Sequence, residues 1–140
     1  MTIDNIVDQI YYNGVQLSVG GALGNWGSVK IFSFATAPRG VLAVSGRESG
    51  NCNGCSCAGM KLECTGGSQA PNSDNTNWAA MGYDSSGERD ALSWFANYFS
   101  GEVSAPCISS SGFNLPGSTG AGAKIWPSNG AKYAIFRVSV

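Results

Sequence analysis

The chain has 140 residues, a formal charge of −1 and only 12% charged residues, against roughly 25% in an average globular protein. That length buries a core without help from a metal or cross-links, and a near-neutral chain with no basic run offers no footprint for nucleic acid or an anionic membrane. With no histidine, Ser-His-Asp and Cys-His catalysis and every His-ligated metal site are excluded. The nine acidic residues show no motif that pairs two carboxylates as general acid and base, so a non-catalytic role is expected.

No window approaches the about 18 apolar residues of a membrane span. The opening Met1-Thr2-Ile3-Asp4 lacks the basic and hydrophobic regions of a signal peptide. The expectation is an extracellular or secreted protein in mature or leaderless form, with a cytoplasmic one left open. Taken in chain order, the elements begin with a hairpin. Asn13 and Gly14 both tolerate positive φ and are flanked by Ile10, Tyr12, Val15, Leu17 and Val19, the strongest short-range hairpin signal here. Over residues 15–19 apolar positions alternate with Gln16 and Ser18, the pattern of a half-buried antiparallel strand. Further strands are expected over residues 29–34 and 41–44, separated by Pro38, Arg39 and Gly40, where proline fixes φ and glycine permits the reversal.

Met60, Leu62 and Cys64 alternate with Lys61 and Glu63 and predict a fifth strand, residues 68–77 a polar loop, and residues 78–81 a sixth strand. Residues 82–122 are mostly Ser, Gly, Asn and Pro around the aromatic island Trp94, Phe95, Tyr98 and Phe99, where the spacing of Trp94 and Tyr98 permits one helical turn. Residues 123–126 and 132–140 close the chain as strands around the turn 127–130. With about eight short strands, no internal repeat and no linker, the prediction is all-β, a single antiparallel sandwich or barrel spanning residues 1–140.

The run DQIYYNG, then GNW, FSF and RGVLAVSG, and later TNW at 76–78, the aromatic cluster at 94–99, KIW at 124–126 and YAIFR at 133–137, resembles the galactose-binding-domain-like jelly rolls found as accessory modules of glycosidases and as small lectins. In those modules a strand ending in Asn-Gly is followed by an Asn-Trp segment and an apolar strand introduced by a glycine turn. The resemblance spans most of the chain and implies an antiparallel jelly-roll β-sandwich that binds sugars. The GNCNGCSC stretch and the absence of aspartates from the aromatic loop depart from the family pattern, and no cofactor is expected.

If consecutive strands run antiparallel, loops alternate between the two ends of the sandwich. One end then collects Asn13-Gly14, residues 35–40, 65–75 and 127–130; the other collects the N-terminal segment and residues 20–28, 47–57 and 82–122. The second end holds the candidate binding residues Asn25, Trp26, Arg47, Glu48, Asp84, Glu88, Arg89 and Asp90, together with Trp94 and Tyr98. A neutral sugar needs donors and acceptors for vicinal hydroxyls and an aromatic face for its C–H patch, which arginine, carboxylates and Trp or Tyr supply. Taken singly, each of these charges reads first as a solvated loop residue or a local ion pair; Trp78 and Trp126, in strand runs, read as core.

The cysteines admit two readings. Cys52, Cys55 and Cys57 contain a C-x-x-C spacing that suits zinc, but the following C-x-C crowds the set and no second C-x-x-C exists. If residues 58–64 form one strand, Cys64 lies roughly 20 Å from Cys57, beyond disulfide reach. It is expected as a buried unpaired thiol, with Cys107 pairing among the other three in any of three connectivities. The leading functional expectation is a lectin for a terminal galactose or β-galactoside, homo-oligomeric to gain avidity. The alternative is an adhesion or structural module using the same fold for protein contacts.

Overall fold

The computed structural model describes residues 1–4, 6–50, 54–66, 71–74, 76–83, 105–108, 118–128 and 131–140. The chain is all-β among these residues: nine strands and one 3-10 turn (Gly54–Ser56), with no α-helix. The strands are β1 (Thr2–Asp4), β2 (Ile6–Tyr12), β3 (Val15–Gln16), β4 (Val41–Arg47), β5 (Gly59–Lys61), β6 (Ala79–Tyr83), β7 (Cys107–Ile108), β8 (Ile125–Trp126) and β9 (Tyr133–Ser139). They form two antiparallel sheets, a five-stranded one in the order β3-β2-β4-β9-β6 and a four-stranded one in the order β1-β5-β8-β7.

The hairpin forms where turn chemistry places it, with Asn13 at φ 49° and Gly14 at φ 76°, both in the left-handed region a two-residue turn of the I′ kind requires. Strands β4 and β9 pair over seven residues, Val41 with Ser139 through Arg47 with Tyr133. Their inward residues Leu42, Val44, Phe136 and Val138 join Ile10 and Tyr12 of β2 and Ile3, Met60, Ile125 and Trp126 of the smaller sheet in one core. Trp126 meets Phe136 edge to face at 5.7 Å, so one aromatic pair joins the two sheets, and its indole N–H donates to the Ala131 carbonyl at 3.0 Å. Trp78 is buried too and donates to the Asn72 carbonyl. Gly46 faces Ile3 across the core; a Cβ there would lie 2.5 Å from the Ile3 Cδ1 and 2.6 Å from the Ile6 carbonyl oxygen.

Several expectations need correction. Residues 29–34 form no strand: their only ladder contact is an isolated bridge between Gly20 and Ile31. Lys30 exchanges main-chain bonds with Met1, the Lys30 N–H donating to the Met1 carbonyl and the Met1 amine donating to the Lys30 carbonyl. Phe32 and Phe34 still pack on the core, so the alternation reports a packed face without a ladder. Only residues 15–16 of the expected strand 15–19 pair, and Val15 is 66% exposed. β1 and β7 were not anticipated. The turn beginning at Pro127 was placed at the Asn13 end, but β9 starts at Tyr133, opposite Arg47, and Lys132 accepts from the Glu48 N–H; the connection into β9 therefore arrives at the opposite end. The helical turn expected at Trp94 lies outside the described residues.

Cys55 and Cys107 form a disulfide with Cα atoms 6.2 Å apart, fastening the 3-10 turn to β7. Cys57 is also disulfide-bonded, while Cys64 is unpaired as expected, although the fifth strand covers only Gly59–Lys61 and stops short of it. Cys64 packs against the core, and burial raises its thiol pKa.

Candidate functional site

The register of β2 against β4 breaks at one place. Val7 pairs with Gly46 and Gln9 with Ser45, leaving Asp8 as the extra residue of a β-bulge. In a regular strand, residues three apart point to opposite faces; here Val7 and Ile10 both enter the core. The bulge absorbs the extra residue and turns Asp8 and Gln9 away from the core side by side. Bulges re-aim side chains in this way and are over-represented next to functional sites.

Beside the bulge the neighbouring chain stands off. Leu17 N–H donates to the Ile10 carbonyl, and Val7 N–H to the Leu23 carbonyl, but between these anchors Gly20 turns to bridge Ile31 instead of β2. The gap is a groove of about 390 Å³ lined by Val7, Asp8, Gln9, Ile10, Gln16, Leu17, Ser18, Val19 and Leu23. That volume falls within the range of small-ligand pockets, as does its combination of aliphatic walls with a few converging polar groups.

Among the lining residues Asp8 carries the only charge. Its carboxylate lies 3.5 Å from the Arg47 Nε, an ion-pair contact too long for a hydrogen bond at that nitrogen. Arg47, the last residue of β4, thus compensates Asp8 from the adjoining strand. The Gln9 Oε1 is buried without a hydrogen-bond partner among the described residues, and so is the Oγ of Ser45, directly opposite in register. Unpaired buried polar atoms each cost about 1–3 kcal/mol.

The wall that ends at Leu23 is built by its own loop. Lys30, only 1% exposed, donates from Nζ to the carbonyls of Asn25 and Ser28, which closes the 25–28 turn from beneath. Asn25 Oδ1 accepts from Gly27 N–H at 2.9 Å, and the Ser28 hydroxyl accepts from Ala22 N–H. Burial lowers the Lys30 pKa.

Of the eight residues singled out from the sequence, Arg47 reaches the groove through Asp8. Asn25 spends its side chain on its own turn, and Trp26, 52% exposed, is on the same loop but does not line the groove. Glu48 is 7% exposed rather than solvated; one carboxylate oxygen accepts from Gly50 N–H at 2.7 Å, and the other has no partner among the described residues. Asp84, Glu88, Arg89 and Asp90 lie outside the described residues. Sequence reasoning missed Asp8, Gln9, Gln16 and Ser18. The signal was the phase slip in IVDQIYY, where two consecutive polar residues separate apolar ones three apart. Among the described residues no group of His, Cys, Asp and Glu could hold a metal ion. No family model matches the chain, and neither a curated protein nor a solved structure does.

Proposed function

We propose that this chain is a non-catalytic carbohydrate-binding module of lectin type, taking a neutral sugar of the galactose class in the groove beside the β2 bulge. The observation that carries the reading is the groove itself: aliphatic walls from Leu17, Val19 and Leu23, with Asp8, Gln9, Gln16 and Ser18 supplying donors and acceptors. Among the described residues the lining carries one carboxylate and no thiol or imidazole, a set that suits hydrogen bonding to hydroxyls rather than bond cleavage. Two antiparallel sheets around one core accord with a jelly-roll sandwich of the galactose-binding-domain-like kind. Disulfides such as Cys55–Cys107 accord with a secreted protein, since such bonds persist in oxidising surroundings.

A module of this size with one groove gains avidity from self-association, so a homo-oligomer belongs to the same proposal. A glycan array, followed by calorimetric titration of methyl β-galactoside, tests it; binding to no glycan refutes it. The competing reading, an adhesion module, draws on Trp26 and on Ile31, which is 69% exposed. It predicts a protein partner whose binding no free monosaccharide displaces.

A further inference from the structure

We infer that the groove selects an uncharged polyol, with Gln9 accepting a ligand hydroxyl and the Asp8–Arg47 pair setting the charge preference. This rests on the proposed function and deepens it. Asp8 is the only charge on the lining and already has its countercharge 3.5 Å away in Arg47. A neutral ligand leaves that pair balanced. An acidic sugar would set a second carboxylate against Asp8, and an amino sugar would compete with Arg47 for it, and both charges would be partly desolvated in the process.

Gln9 supplies the hydroxyl contact. Its carboxamide lines the groove, yet Oε1 is turned into a buried position that offers it no donor among the described residues. The terminal torsion of glutamine is broad, so a half-turn about Cγ–Cδ brings Oε1 to the groove. That rotation presents to the ligand an acceptor that has no partner among the described residues, so the hydroxyl donates to Oε1. The aliphatic residues Leu17, Val19 and Leu23 take the C–H face of the polyol.

The test is calorimetry and amide NMR on the full chain with methyl β-galactoside, galacturonate, galactosamine and myo-inositol. The unmutated protein should bind the neutral ligands and shift the Gln9 side-chain resonances, with the charged sugars weaker. Gln9→Leu should weaken neutral ligands by about threefold to tenfold, while Gln9→Glu, which keeps an acceptor, should retain their binding. Asp8→Asn leaves Arg47 uncompensated, so galacturonate should gain about tenfold, less at high salt; Arg39→Ala, in the turn at the other end, should change nothing. If methyl β-galactoside binds with no response to Gln9→Leu and shifts resonances elsewhere, the lectin reading stands and this inference falls. If no sugar binds but myo-inositol shifts Gln9, the lectin reading falls and the polyol groove stands. Binding of none of the four overturns both.

Discussion

Replacing Glu63 should unfasten the strap that leads into β8. Glu63 follows β5, and its two carboxylate oxygens collect four donors from residues 118–122: Ser118 Oγ at 2.6 Å, Thr119 N–H at 2.7 Å, Thr119 Oγ1 at 3.2 Å and Gly122 N–H at 3.3 Å. Lys61 Nζ stands 3.3 Å away. Burial alone would raise its pKa, but these hydrogen bonds outweigh burial and hold the carboxyl at about 2, from an ordinary 4.5. A folded pKa below the unfolded one means the carboxylate stabilises the fold above about pH 4.5, and that this contribution disappears as pH falls through about 2. A displacement of that size corresponds to about 3 kcal/mol at most. Solvent along the exposed Ser118–Gly120 side screens it, leaving roughly 1–2 kcal/mol. Urea denaturation of the unmutated chain and of Glu63→Gln should therefore show a gap of that order at pH 7 that narrows steadily between pH 4.5 and 2. A gap that stays constant from pH 7 to pH 2 would refute the reasoning, because the stabilisation would then not come from the charge.

Three other outcomes follow from the packing. Peptide mapping should recover Cys55 joined to Cys107 with Cys64 alkylated only slowly under native conditions; removing the Cys55–Cys107 bond, which spans 52 residues, should cost about 2–4 kcal/mol in a denaturant melt. Gly46→Ala should destabilise by about 1–3 kcal/mol, since the added methyl meets Ile3 and the Ile6 carbonyl within contact distance, and a melt unchanged from the parent would mean that β1 does not pack there. Glu48→Gln should leave sugar affinity unchanged while Asp8→Asn alters it, because Glu48 is buried beside Gly50 and does not line the groove; a larger affinity loss in the Glu48 variant would return the site to the loop end.

Local chemistry made part of the fold readable. The Asn13-Gly14 turn is written in two residues that accept positive φ, and β4 and β9 in apolar runs long enough to require a buried strand. Residues 29–34 separate burial from strand pairing. Alternation reports which side chains are buried, and Phe32 and Phe34 are indeed packed on the core, but it does not report where the backbone hydrogen bonds go. There they go to Met1 and Gly20, partners that only tertiary structure supplies. The end-assignment of the turn after Trp126 failed for another reason: β7 lies between β6 and β8 in the chain, and one uncounted strand moves every later loop to the other end.

The candidate groove was hidden by a different assumption, that binding groups gather on long loops carrying charge. Loops do collect them, but a sheet offers a second device. A regular β2 would bury every second residue, and IVDQIYY cannot satisfy that rule, because Val7 and Ile10 are three apart and both apolar. Either one apolar side chain is left in water or the strand gains a residue. The chain takes the second course, and the consequence is that Asp8 and Gln9 stand together on one face beside an interrupted ladder. Nothing in core packing requires those two to be polar, and an apolar pair would avoid both the ion pair with Arg47 and the unsatisfied Gln9 Oε1. Local features that cost stability without a structural return concentrate where a molecule meets its ligand, and this one opens directly onto the groove.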